Sequence, residues 1–329
     1  MDLPMPGSND YSPLASKKLE DGKRRLAQTY DVAIVGGGPA GLSAALVLGR
    51  CRRSVLICDD GSPRNEVSPS AHCLLGNEGI APPELLARGR KELREYESVV
   101  LHDDKVLSIT KANHEFSVTC MGGLKATARK VLLTTGLKDE VPNIDGIGKL
   151  YGRSVHHCPY CDGFEHRDQS IAVYGKGDNG AALALTMRQW SRDVVLCTDG
   201  PTTISPEMQS RLEHHGVAVH TKQIAKLDGD DQGHLHRICF TNGKSVDSTA
   251  LFFTTGCMQR SDLSERLGCN RDEKGGIISD PLTEESTVPG VYVAGDASRD
   301  VLLIAVAIAE GAKAAVAINR SLLKEDGLG

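Results

Sequence analysis

The 329-residue chain predicts an α/β fold made of two Rossmann-like dinucleotide-binding units. Three observations carry that prediction. A strand, a glycine loop and a helix follow one another at 31–45, and again at 170–190. Each occurrence leads to a short apolar strand closed by an aspartate, Asp59 and Asp199, which stand 23 and 24 residues after the first glycine of their loops (59 − 36 and 199 − 175). Each unit then reaches an apolar strand that runs into Thr-Thr-Gly, at 132–136 and 252–256. The plan is an internal repeat on the scale of a domain.

Composition bounds the function classes. Hydrophobic residues make up 40% of the chain and charged residues 25%, enough apolar material for two cores. The net charge is -5 with no basic stripe, so nucleic acid is not an expected partner. The longest apolar run, 301–309, is too short to span a bilayer, and no membrane contact is expected. Residues 1–28 are rich in Pro, Ser, Asp and Lys and lack the apolar core of a secretory signal. They are expected to be a mobile arm, with the folded chain beginning near residue 30. Of ten cysteines, eight stand singly, several among apolar residues. Buried thiols in a reducing cytoplasm are the expectation.

In the first unit, D-V-A-I-V-G-G-G-P-A-G places Gly36, Gly38 and Gly41 at the spacing G-x-G-x-x-G. The first glycine permits the tight turn, the second lets backbone approach a pyrophosphate, and the third lets helix pack on strand. Pro39 and Ala40 open the helix, whose N-terminus faces the phosphates with partial positive charge. Asp59 is the expected acceptor of adenosine ribose hydroxyls. In the second unit, Gly175, Gly177 and Gly180 repeat the spacing, and Asp199 takes the place of Asp59. The segment before its Thr-Thr-Gly reads as a β-hairpin with a two-residue turn at Asn242 and Gly243. A third block, V-P-G-V-Y-V-A-G-D-A-S at 288–298, is a buried strand ending in Gly295 and Asp296, followed by a helix over 301–319. Asp296 suits a polyol through charge-assisted bonds, or the cap of that helix, or both.

The remaining chemistry lies in H-C-P-Y-C-D-G-F-E, residues 157–165. A zinc site needs two more ligands at matched spacing, and no second C-x-x-C exists, so no metal site is expected. A redox dithiol needs one attacking thiolate, a second thiol to close the disulfide, and a proton carrier. Cys158 and Cys161 at a helix start, followed by Asp162, meet that need. His156 and His157 read as packed or solvated histidines.

Four motifs in this order give the chain its resemblance to the low-molecular-weight thioredoxin reductase family: G-G-G-P-A-G at 36–41, C-P-Y-C-D-G at 158–163, G-K-G-D-N-G at 175–180 and V-Y-V-A-G-D at 291–296. The resemblance implies a discontinuous FAD-binding domain at 30–141 and 258–329, with an inserted NAD(P)-type domain at 142–257 that carries the C-x-x-C. It implies that Asp59 holds the adenosine ribose and Asp296 the ribityl chain. Cys161 then faces the flavin, Cys158 is the interchange thiol and Asp162 is the general acid-base. It also implies a homodimer, hinges near Val141-Pro142 and 257–260, and a thioredoxin-like protein or small disulfide as partner.

The chain departs from the family in places. NADPH users carry an arginine cluster after the second strand of the inserted domain, where this chain reads L-C-T-D-G. Asp199 repels a 2′-phosphate, so NADPH is disfavoured; NADH, a ferredoxin or a second adenine-containing flavin are the donors left open. The Arg-Gln pair usual after Gly-Asp is replaced by R-D-V-L-L-I-A, a more apolar surrounding for a flavin. P-R-N at 63–65, with His72 before C-L-L-G, resembles a subgroup bordering the dithiol oxidases that close disulfides in small molecules with O2. Those oxidases have His after the second cysteine, whereas Asp162 favours a reductase. A redox sensor without turnover is a third reading.

Overall fold

The computed structural model describes residues 29–298 and 301–329, so the arm expected over 1–29 lies outside it except for Thr29. The first sheet contains β1 (Thr29–Val35), β2 (Val55–Cys58), β3 (Val99–His102), β4 (Val106–Ala112), β5 (Glu115–Cys120) and β6 (Lys125–Leu133) in the order β3-β2-β1-β6-β5-β4. β1, β2, β3 and β6 pair in parallel, and β4, β5 and β6 form an antiparallel meander. The strands β1 and β2 read as apolar runs because both of their faces are covered. α1 (Pro39–Arg50) and α2 (Pro82–Glu92) follow β1 and β2.

A two-stranded ribbon leads out of this sheet and back. It pairs β7 (Leu137–Asp139) with a later strand, 257–259, in antiparallel register. Between its two passes lie α3 (Ile147–Leu150), β8 (Val155–His156), α4 (Pro159–Asp162), β9 (Ile171–Tyr174), α5 (Gly177–Met187), β10 (Val194–Cys197), α6 (Pro206–His214), β11 (Ala218–His220), β12 (Ile224–Gly229), β13 (Leu235–Phe240), β14 (Ser245–Asp247) and β15 (Ala250–Phe253). Here β11-β10-β9-β15-β8 form a parallel sheet, and β12-β13-β14 an antiparallel one. The returning ribbon strand is β16 (Cys257–Gln259), followed by α7 (Leu263–Arg266). β17 (Val291–Val293) then joins the first sheet beside the second half of β6, and α8 (Ile304–Glu325) closes the chain.

Three local expectations change. The last helix starts at Ile304 rather than 301, because Leu303 is extended, and it runs on to Glu325. Asp296 therefore lies outside it in a short 3-10 turn and does not cap it, since Leu303 holds that position. The β13–β14 turn is longer than two residues. Phe240 N–H donates to Lys244 O (2.8 Å) and Gly243 N–H to Phe240 O (3.1 Å), with Gly243 at φ 80°. This is the three-residue loop with a left-handed glycine that the right-handed strand twist also accepts. Among the described residues no helix is long and apolar enough to cross a membrane.

Candidate active site

The first glycine loop sits at the C-terminal ends of β1 and β6. A Cβ on Gly36 would lie 2.3 Å from Thr134 O, and one on Gly41 2.0 Å from Gly36 O, so neither position admits a side chain. A Cβ on Gly38 meets nothing within 4 Å: this is the open face of the loop. Thr134, first of its Thr-Thr-Gly, donates to Gly36 O at 2.8 Å and locks the turn. Gly311 of α8 crosses the start of α1 so closely that a Cβ there would lie 2.1 Å from Ala40 O. Asp59, directly after β2, lies against Gly37 and is ion-paired with Arg90, which also holds Asp103 at 2.6 Å. An open glycine loop with a carboxylate at the next strand end fits the adenosine diphosphate half of FAD.

Asp296 accepts a bond from Arg64 Nη1 at 2.7 Å. The same guanidinium grips Asp139, at the end of β7, through Nε at 3.0 Å, and reaches His157 Nε2 at 3.1 Å. Tyr151 adds its hydroxyl to Asp139 at 2.9 Å. Burial, the largest single effect, would raise the Asp139 carboxyl, but the hydrogen bond and charge of Arg64, the facing His157 and the Tyr151 hydroxyl together outweigh it and hold Asp139 below the usual carboxylate range. Arg64 has only donors to offer, so His157 Nε2 is the acceptor and its proton sits on Nδ1, facing Asp139 at 3.8 Å. Burial lowers the His157 pKa, in keeping with a neutral ring.

Cys158 and Cys161 form a disulfide with Cα atoms 5.3 Å apart. Cys158 caps α4, its Sγ accepting from Cys161 N–H at 3.2 Å. Pro159 follows, a residue pre-set for the first helical turn. Asp162 ends the helix, and its Oδ1 lies 3.3 Å from His156 Nδ1. His156 is packed as the sequence suggests, 4% exposed with its ring 5.3 Å from that of Phe252. Its other nitrogen lies 3.0 Å from His166 Nε2 and 3.1 Å from Arg153 O. Burial, then the neighbouring His156, push His166 down to about 4, so that ring is neutral. Tyr160, between the two cysteines, is 69% exposed, and Phe164 is 61% exposed.

The second glycine loop repeats the tight contacts of the first. A Cβ on Gly180 would lie 2.5 Å from Gly175 C, and one on Gly175 2.7 Å from the Thr254 methyl of the second Thr-Thr-Gly. Yet this loop is covered by its own chain. Gly177 N–H, at the start of α5, donates to Thr202 Oγ1 at 2.9 Å. Asp178 beside it accepts from Ser205 N–H at 2.8 Å. Asp199 accepts from Ile224 N–H at 2.7 Å and from Tyr174 OH at 3.4 Å, so its oxygens face the protein's own donors.

Two dinucleotide units, one with an open phosphate loop, and a C-x-x-C disulfide beside the first unit's Gly-Asp define a flavin-dependent disulfide oxidoreductase. The family model for pyridine nucleotide-disulphide oxidoreductases matches residues 30–311. A chain described as "Probable thioredoxin reductase" from Arthroderma benhamiae is 32% identical over 90% of this chain and 81% of that one. "Thioredoxin reductase sirT" of Leptosphaeria maculans is 27% identical, over 90% and 95%. The crystal structure of an oxidoreductase from Agrobacterium tumefaciens superposes with a TM-score of 0.84 at 32% identity, over 90% and 99%. The chain belongs to the pyridine nucleotide-disulphide oxidoreductases, as an enzyme of the low-molecular-weight thioredoxin reductase type.

Sequence reasoning missed Arg64, Asp139, Tyr151, His166 and Thr202 as parts of these sites. P-R-N was visible, but nothing local tells that its arginine bridges Asp139 and Asp296, which lie 75 and 232 residues away. Thr202 carried no signal, because threonine in a polar loop is unremarkable in sequence.

Proposed function

We propose that the enzyme moves electron pairs through Cys158 and Cys161 between FAD and a disulfide of a thioredoxin-like partner. One observation supports this most: the Arg64 guanidinium touches both Asp296 and His157, so the segment entering the C-x-x-C lies one side chain from the carboxylate assigned to the ribityl chain. Asp59, Gly36, Gly38, Pro39, Ala40 and Gly41 serve the adenosine diphosphate, and Gly295 and Asp296 the ribityl side. FAD bound there and reduced by the donor would supply the two electrons that reopen the Cys158–Cys161 disulfide to two thiols. The domain boundary falls in the β7–β16 ribbon, dividing 30–141 and 258–329 from 142–257. A cytoplasmic homodimer is the assembly this reading assumes.

In the reduced enzyme Cys158 attacks the partner disulfide and releases one partner thiol. Cys161 then attacks the mixed disulfide, releases the second thiol, and restores Cys158–Cys161. Two enzyme thiols become one disulfide while one partner disulfide becomes two thiols, so electrons and protons balance. Asp162 is assigned the uptake of the thiol proton and its return to the leaving sulfur. Neutral His166 accepts from His156 Nε2, and His156 Nδ1 faces the Asp162 carboxylate at 3.3 Å. Exposed Tyr160 and Phe164 give an apolar contact for a protein partner.

The donor is the less conventional part. Thr202 on the Gly177 amide and Asp178 in the first turn of α5 oppose a pyrophosphate, and Asp199 opposes a 2′-phosphate. NADPH is therefore a poor donor, and NADH the better nicotinamide. The same covering of the second loop favours a second reading, in which a small dithiol gives electrons and O2 takes them. Anaerobic titration of the flavin-loaded enzyme decides. Bleaching by NADH at micromolar levels and not by NADPH supports the reductase. Bleaching only by a dithiol, with colour restored by O2, supports the oxidase. Bleaching by micromolar NADPH overturns the donor assignment.

A further inference from the structure

The ends of β2, β3 and β5, strands from opposite sides of the first sheet, bring together a donor set that the redox chemistry does not use. Cys58 ends β2, His102 ends β3 and Cys120 ends β5, while Asp104 lies in the β3–β4 turn. Parallel pairing sets Cys58 opposite His102, and the meander sets Cys120 opposite Val106, two residues beyond Asp104. The Cys58 and Cys120 sulfurs come within 3.5 Å in the buried core. One ligand atom each from His102, Asp104 and Cys120 lie within 4.8 Å of one another.

Two details distinguish this cluster from two packed thiols. His102 Nε2 is shielded from solvent and makes no hydrogen bond among the described residues; Asp104 Oδ2 stands off at 3.5 Å. A shielded imidazole nitrogen without a close hydrogen bond is costly unless something fills the role. The Asp104 carboxylate is also aimed. Its Oδ1 accepts from Lys105 N–H and its Oδ2 from Gly122 N–H, both at 2.7 Å, which fixes the carboxylate with Oδ2 3.5 Å from His102 Nε2. Metal-ligating carboxylates are held in this way by outer hydrogen bonds. A tetrahedral zinc ion with bonds of about 2.3 Å to sulfur and about 2.0 Å to nitrogen and oxygen spaces its sulfurs about 3.8 Å apart and its N and O about 3.3 Å apart. The observed 3.5 Å separations of the sulfur pair and of the N–O pair lie within about 0.3 Å of those spacings.

We propose that Cys58, His102, Asp104 and Cys120 form a binding site for a thiophilic divalent cation of the Zn2+ class. His102, Asp104 and Cys120 are the preformed part, and Cys58 completes the set by a small side-chain movement. Binding releases the two thiol protons to solvent and involves no electron transfer. The ion ties the ends of β2, β3 and β5 together next to Asp59, and so steadies the strand end assigned to the adenosine ribose. The site is independent of the direction of dithiol turnover.

The test uses the full chain with its flavin and with Cys158–Cys161 oxidised, so that the redox dithiol cannot compete. Metal content is measured after purification and after addition of Zn2+ or Co2+ with dialysis, and the cobalt form is read by its thiolate charge-transfer band. One ion per chain is expected, weakened about 100-fold in His102→Ala and in Cys120→Ser, and unchanged in Cys51→Ser, which removes an exposed thiol outside the cluster. His102→Ala changes a half-buried ring at a strand end, so it keeps the test valid where Cys120→Ser fails to fold. Absence of stoichiometric metal overturns the proposal. So does binding that survives His102→Ala, or a Cys58–Cys120 disulfide found by mass mapping of the isolated protein.

Discussion

His166 shows how a single ring reports on the redox site. It rests neutral against His156, with a pKa pushed to about 4 by burial first and His156 second, against an ordinary 6.5. Between these values the unfolded chain binds a proton that the folded chain refuses. Stability from this ring is therefore full above about pH 6.5 and is lost as pH falls toward about 4. The ceiling is about 1.4 kcal/mol per pH unit, and partial exposure reduces the sum to roughly 2 kcal/mol. Urea midpoints of the oxidised protein at pH 7 and pH 4.5, compared with His166→Gln, measure it. The wild type is expected to lose more stability than the variant over that interval; equal losses would show that the ring is not held neutral. The sequence named Cys158, Cys161 and Asp162 because they are neighbours in the chain. It did not reveal the histidine relay, since His156 and His166 meet only after α4 turns the chain back.

At the scale of elements the reading was more complete, because strand–loop–helix units are local. Alternation of β-branched runs with glycine spacing placed β1, α1, β9 and α5, and the glycines carry the close contacts that their spacing implied. The limits of the last helix and the β13–β14 turn were less legible, as both depend on backbone conformation at single residues, Leu303 and Gly243. The two glycines of the first loop now predict different outcomes. A methyl on Gly41 collides with Gly36 O, so Gly41→Ala strains the apoprotein by about 1–3 kcal/mol and weakens FAD by roughly 5- to 150-fold. A methyl on Gly38 meets only open space, so Gly38→Ala leaves the apoprotein's melting temperature unchanged while it obstructs the ligand. Flavin retention and apoprotein melting separate the two effects. A Gly38→Ala enzyme that keeps its FAD at wild-type affinity would remove the open face of the loop from the FAD site.

For the whole molecule the decisive contact is the one that no motif announced. Arg64 belongs to the first unit, Asp139 to the ribbon and His157 to the segment entering the C-x-x-C, and the Arg64 guanidinium holds Asp139, His157 and Asp296 together. The ribbon itself is short, three residues paired on each side, with Glu140 N–H to Gly256 O (3.1 Å) as its last rung. Paired strands of that length have little stability of their own, so the buried Arg64–Asp139 ion pair is what ties β7 to the first unit. Removing one partner of a buried pair strands the other, and Asp139 has only 4% of its side chain exposed. Arg64→Met is therefore expected to open the ribbon locally. Hydrogen exchange of the β7 and β16 amides should rise at least about tenfold, equivalent to about 1.4 kcal/mol, while the central amides of β1 and β9 keep their rates. An equal rise in all four strands would mean global destabilisation and no clamp. No rise in the ribbon would mean that Tyr151 and His157 suffice for Asp139. A selective rise makes Arg64 the element that sets how the C-x-x-C segment is held against the first unit. It also accounts for an arginine that bridges groups so far apart in sequence.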